Sequence, residues 1–128
     1  MQTMNEKEVV QKDILSLALV GDAVWSLFVR DKLIRKFDCK SGELSKKTIN
    51  FVSAQAQSRL LGVIEKELTE DEKEVMIRAR NCNCGTKAKN ASVIDYRRAT
   101  ALEAVFGFLH LMRQTERLNK IMEICYNS

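Results

Sequence analysis

Two long apolar stretches, each broken by a single carboxylate, constrain this chain more than any other feature. Residues 14–29 read ILSLALVGDAVWSLFV, in which Asp22, directly after Gly21, is the only ionisable side chain. Residues 99–109 read ATALEAVFGFL, with Glu103 alone and Gly107 four residues on. Runs this apolar belong in a core, and a carboxylate is among the side chains least often buried without a partner. Isolating one in each of two core helices is costly unless its charge is compensated. The simplest compensation is for the two helices to cross so that both acids share a divalent cation. Ala18, Gly21, Ala23, Ala104 and Gly107 are small enough to let such helices come close.

The rest of the chain predicts an all-α fold. There is no proline in 128 residues and there are only five glycines, a composition that favours helices joined by short loops. Leu17, Val20, Val24, Leu27 and Phe28 recur at helical spacing, and this stripe predicts the buried face of the first long helix. Lys40-Ser41-Gly42 reads as a turn, with Ser41 or Ser45 as the next cap. One helix is expected from Leu44 to about Lys66, with Ile49, Val52, Ala56, Leu60, Leu61 and Ile64 as its stripe. Thr69 followed by Glu70, Asp71 and Glu72 is a capped start for a helix reaching about Arg80. A polar loop from Asn81 to Ser92, a helix from Val93 to Met112 and a last one from Thr115 to Tyr126 complete the reading. Residues 1–128 are expected to form a single domain, long enough to bury a core without disulfides.

Composition narrows the function classes. No stretch of about 18 uncharged apolar residues is present, which argues against a membrane span. The first 13 residues, MQTMNEKEVVQKD, lack the apolar centre of a secretory signal, so a cytoplasmic protein is expected. Cys39, Cys82, Cys84 and Cys125 are scattered, and no second cysteine pair or nearby histidine completes a zinc site around Cys82 and Cys84. The net charge of +4 is unevenly spread: Arg78, Arg80, Lys87, Lys89, Arg97 and Arg98 face only Asp95 between residues 78 and 98. Arg30, Lys32, Arg35, Lys36 and Lys40 form a second basic cluster. Clusters of this kind suit a phosphate backbone, although a solvated charged face has the same composition.

The acidic motifs themselves resemble a known family. Leu17-Ala-Leu-Val-Gly-Asp-Ala-Val-Trp25 resembles the central helix of ribonuclease III domains, in which a Leu-Gly-Asp-Ala-Val core carries a catalytic aspartate. Residues 96–108, YRRATALEAVFGF, resemble that family's second acidic motif, in the same order and at about the same separation. The length leaves no room for the double-stranded-RNA-binding domain that usually follows. A catalytic domain alone, with Arg80-Asn81 and Gly85 before Tyr96-Arg97, looks like the small bacterial branch, Mini-ribonuclease III.

The resemblance implies a homodimeric helical endonuclease domain that hydrolyses phosphodiesters of double-stranded RNA, leaving 5′-phosphate and 3′-hydroxyl ends. Its implied substrate is a stem in precursor 23S ribosomal RNA, with a ribosomal protein as a further candidate partner. Asp22 and Glu103 would be the catalytic acids, holding Mg²⁺ or Mn²⁺ directly or through water. Two acids of the larger enzymes are replaced here, by Ala18 and Thr100, and Thr100 could orient a metal-bound water through its hydroxyl. The candidate RNA contacts are Arg78, Arg80, Lys87, Lys89 and Arg97, since A-form RNA is read mainly through its backbone and 2′-hydroxyls. Arg97 and Arg98 are adjacent on a helix and cannot face the same way, so one could support Asp22. Trp25 and Phe28 are the candidate dimer contacts, core packing being the alternative for each, and His110 reads as structural or interfacial. The competing reading, a non-catalytic RNA-binding or ribosome-assembly domain of the same fold, draws its support from Ala18 and Thr100.

Overall fold

The computed structural model describes residues 4–10, 12–82 and 92–128. Among these the elements are α1 (Glu6–Val10), α2 (Ile14–Lys36), α3 (Ser41–Val52), α4 (Ala54–Ile64), a 3-10 turn (Glu65–Glu67), α5 (Glu70–Arg80), α6 (Val93–Leu111) and α7 (Thr115–Tyr126). No strand occurs among the described residues, so the all-α expectation stands.

Helix α6 is the hub, packing against α2, α4, α5 and α7. From Ala99 to Leu109 every residue but Glu103 is buried, as expected for a helix apolar on nearly all sides. Ser92 caps its start by accepting from the Asp95 amide. Its end is a Schellman turn: the Arg113 amide donates to the His110 carbonyl and the Gln114 amide to that of Leu109, with Arg113 at φ 58°.

The α2–α6 crossing is a backbone-to-backbone contact. A Cβ built on Gly21 would lie 1.6 Å from the Glu103 carbonyl oxygen, and one built on Gly107 would lie 1.9 Å from that of Leu17. Only glycine fits at either position. Ala18 and Ala104 are buried in the same region, as expected, whereas Ala23 is exposed and takes no part.

Three expectations are corrected. The helix foreseen from Leu44 to Lys66 is two helices, because Ser53 leaves helical geometry (φ −65°, ψ 156°) and caps α4 through the Ala56 amide. Serine competes for backbone donors in this way, so a capping residue hidden in a helical stripe can end one helix and start another. The buried face of α2 is Ile14, Leu17, Ala18, Gly21, Trp25, Val29 and Leu33, which leaves Leu27 exposed. Ile49 is likewise exposed. In a helix as apolar as α2 the pattern does not reveal which side meets the core, because several faces satisfy it, and the stripe drawn through Ile49 loses its phase at the Ser53 break.

The start of α5 follows the sequence closely. Thr69 and Glu72 form a reciprocal capping box, and the Glu72 carboxylate also receives Arg117 Nε and an Arg117 terminal nitrogen at 3.0 and 2.8 Å. Burial alone would raise the Glu72 carboxyl, but the Arg117 and Thr69 hydrogen bonds outweigh it and hold it below the usual range. This fully bonded pair ties α7 to the start of α5. No helix of the described residues is long and apolar enough to cross a membrane.

The glycine crossing yields a paired prediction. Gly107→Ala must push α2 and α6 apart, an overpacking cost of about 3 kcal/mol and a Tm drop of roughly 10 °C. Gly42→Ala meets nothing within 4 Å inside α3 and should stabilise by about 0.5–1 kcal/mol, since alanine loses less freedom in a helix. Thermal melts of the two variants check both signs.

Candidate active site

The crossing that excludes every side chain at Gly21 and Gly107 sets their neighbours beside each other. The Asp22 and Glu103 side chains are in hydrogen-bonding contact, so the structure brings the two expected acids together. Their settings differ from the expectation of two buried acids. Glu103 is half-buried, whereas Asp22 is exposed at the edge of α2. Gly21 faces the core and Asp22 stands one residue, about 100°, further round the helix.

Burial is the main reason that the Glu103 carboxyl is pushed up to about 9; the hydrogen bond that its protonated form donates to the Asp22 carboxylate, and the Asp22 charge, add to this. A hydrogen bond from Gln57 works in the opposite direction. Two carboxylates in contact, one of them half-buried, cannot both ionise cheaply at neutral pH. Without a cation Glu103 therefore keeps its proton and donates it towards Asp22.

Gln57, on α4, was not singled out from the sequence. It is 2% exposed, its Nε2 donates to the Val52 carbonyl at 2.9 Å, and its Oε1 has no hydrogen-bond partner. A signal existed: Gln57 precedes Leu60, Leu61 and Ile64 at the i+3, i+4 and i+7 positions of a buried stripe, where a polar residue needs a reason. Among the described residues no group of three or more His, Cys, Asp or Glu side chains is placed to hold a metal. The site therefore offers two carboxylates and one buried amide oxygen. That donor set suits Mg²⁺, which binds through one or two carboxylates and keeps several waters.

The remaining expected residues separate. Thr100 is buried, and its hydroxyl donates to the Tyr96 carbonyl at 2.9 Å, so its proton is not available to orient a water. Helical threonine commonly turns its hydroxyl back on its own helix in this way. Trp25 is fully buried, donating to the Phe51 carbonyl at 2.9 Å and packing on Phe28 and Phe106. A side chain so enclosed has no surface to offer a second subunit, which corrects its expected interfacial role. Phe28 is half-buried and helps line a cleft of about 430 Å³ with Val24, Leu27, His110, Leu118 and Met122.

Arg78 and Arg80 lie in the last turn of α5 and Arg97 lies exposed in α6, on either side of residues 83–91. Arg80 sits 3.8 Å from Glu65. Lys87 and Lys89 lie outside the described residues. Arg98 turns to α4 rather than to Asp22, donating to the Ser58 hydroxyl and carbonyl at 3.0 and 2.9 Å. Gly62 leaves room for it: a Cβ there would stand 3.2 Å from an Arg98 nitrogen.

The raised Glu103 carboxyl predicts a pH dependence. The folded chain holds that proton more tightly than the unfolded chain, whose carboxyl loses it near 4.5. Cation-free stability should therefore fall as pH rises from about 5 towards 9. Glu103→Gln has no charge to ionise; in EDTA it should flatten this slope and melt above the unsubstituted chain at pH 8–9. Parallel curves for the two proteins would contradict this.

Comparison with known proteins places this geometry. Residues 15–114 match the ribonuclease III domain family. The chain is 43% identical to Mini-ribonuclease 3 of Clostridium tetani over 127 residues, covering 98% of this chain and 84% of that protein. It is 44% identical to Mini-ribonuclease 3 of Streptococcus pneumoniae over 113 residues, covering 87% and 88%. A crystal structure of a Fusobacterium nucleatum protein superposes with a TM-score of 0.82 at 32% identity, covering 91% of this chain and 93% of that one. Ribonuclease III domains generally depend on a divalent metal. On the matched family, the identities and the helical fold, the chain belongs to the ribonuclease III domain family, in its Mini-ribonuclease 3 branch, and is an endoribonuclease of double-stranded RNA.

Proposed function

We propose that residues 1–128 act as one catalytic domain, which cuts stems of precursor 23S ribosomal RNA in the cytoplasm as a homodimer. Mg²⁺ is the proposed ion, Mn²⁺ a substitute, and a ribosomal protein that presents the RNA a further candidate partner. The contact between Asp22 and Glu103 across the α2–α6 crossing carries this reading. Bound there, the cation would supply an acidified water for attack and a counter-charge for the leaving oxygen. Asp22, at the exposed edge, is the acid that RNA can reach; Glu103 backs it from the buried side. Releasing the Glu103 proton readies both oxygens for metal. The proposed products carry 5′-phosphates and 3′-hydroxyls.

Arg78, Arg80 and Arg97, with Lys87 and Lys89 between them in the chain, are the proposed grip on the phosphates of A-form RNA. The proposed subunit contact is the outer face of α2. Leu19, Leu27 and Ile34 are 72%, 71% and 63% exposed there, and the cleft edged by Leu27 and Phe28 adjoins them. Apolar side chains aligned like this on one helix suit an isologous contact, in which α2 meets the same helix of a second copy. Two-fold symmetry would then set one carboxylate pair on each strand of a duplex.

Two experiments test these assignments. Labelled precursor stems and a generic duplex are incubated with purified protein in Mg²⁺ and in EDTA, alongside Asp22→Asn. Cutting of both strands that needs Mg²⁺ and falls by more than about a hundredfold in the variant is expected, since even an outer-shell change costs about 10–100-fold. Tight binding without cutting would favour the non-catalytic RNA-binding reading. Separately, sedimentation should find the unsubstituted chain dimeric and Leu27→Glu monomeric with unchanged helix content. A variant that stays dimeric would move the interface elsewhere.

A further inference from the structure

We propose that Gln57 is a positioning residue of the carboxylate pair: its amide nitrogen holds Glu103 in place, and its amide oxygen accepts from a water of the bound cation. The inference rests on the cation site proposed above and goes beyond it, because neither acidic motif contains Gln57.

The amide is fixed at three points. Its burial excludes bulk water. One Nε2 proton goes to the Val52 carbonyl across the break between α3 and α4. The second faces the Glu103 carboxylate. The Val52 contact also determines which way round the amide sits, since the flipped form would set its oxygen against the Val52 oxygen. The nitrogen is thereby committed on the Val52 side and the oxygen is left as a buried acceptor without a donor. Such an orphan is uncommon, costs about 1–3 kcal/mol and calls for an explanation. The one Glu103 proton is engaged by the Asp22 carboxylate and so is not the missing donor. A hydrated cation on Asp22 and Glu103 would bring water protons into this same corner. Mg²⁺ keeps such waters, and the residues that accept from them orient the metal's direct ligands.

The break at Ser53 has a consequence here. With α3 and α4 as one helix, the Val52 carbonyl would be committed to a helical partner. The break frees it to anchor the Gln57 amide, so the same local event that caps α4 also aims this side chain.

The test uses the full chain without RNA and reads Mn²⁺ binding by calorimetry, with Tm in EDTA as the measure of folding. Gln57→Met keeps the length and removes the polar atoms; Gln57→Glu keeps an oxygen and loses the bond to Val52. Gln57→Met should bind Mn²⁺ about tenfold more weakly, and Gln57→Glu should bind at least as tightly as the unsubstituted chain while melting lower than it. A role confined to packing predicts the reverse for Gln57→Glu, in which the Val52 oxygen repels the new carboxylate. Unchanged Mn²⁺ affinity in Gln57→Met, with affinity lost in Asp22→Asn, would overturn the role of Gln57 and leave the cation site standing. No Mn²⁺ binding by the unsubstituted chain would remove the cation site and this inference with it. Should Gln57→Met fail to fold, Gln57→Glu decides: binding weaker than the unsubstituted chain overturns the proposal.

Discussion

The contact of Gly21 and Gly107 with the opposing backbones is the constraint on which the structure depends. No side chain fits between α2 and α6 at this level, so their spacing is set by main-chain atoms, which hardly yield. Because α6 also packs on α4, α5 and α7, that spacing is transmitted to the whole helical assembly. It also sets how close Asp22 and Glu103 come. A crossing widened by one methyl group would relax the core and separate the acids together.

Two carboxylates are drawn inside this fold, and their contrast is informative. Glu72 is fully buried, yet Arg117 and the Thr69 amide satisfy it and keep it ionised. Glu103, half-buried, lies against another carboxylate and an amide, and its carboxyl is held well above the usual range. The first arrangement joins α5 to α7. The second is unfavourable in the cation-free protein and would become favourable if positive charge arrived, as the proposed cation site requires.

Much of this was legible in the sequence because it was carried by local chemistry. Thr69 and Glu72 mark the start of α5 with a capping box, and an all-α chain follows from the absence of proline and the helical spacing. The pairing of Asp22 with Glu103 was also readable, since two acids isolated in apolar runs need one another or a cation. Phase was not legible. Leu27 and Ile49 satisfy a helical stripe and yet are exposed, while Trp25, which looked suited to an interface, is enclosed by Phe28, Phe106 and the Phe51 carbonyl. In α2, periodicity does not discriminate between faces that are nearly all apolar, and at Ile49 the phase was carried across the break at Ser53.

The sequence by itself therefore determined the all-α class, the bounds of α5, α6 and α7 and which two acids come together, because propensity, capping and isolated charge act within a few residues. Tertiary structure decided which face of each helix is buried, that Asp22 stands exposed while Glu103 is half-buried, and that Gln57 on α4 lies near Glu103. Those outcomes depend on which backbone lies opposite: Gly107 meets Leu17, Gly21 meets Glu103, and Ser53 breaks a helix at the point that frees Val52. Contacts between residues so far apart in the chain arise only when the helices are assembled, and no local pattern encodes them.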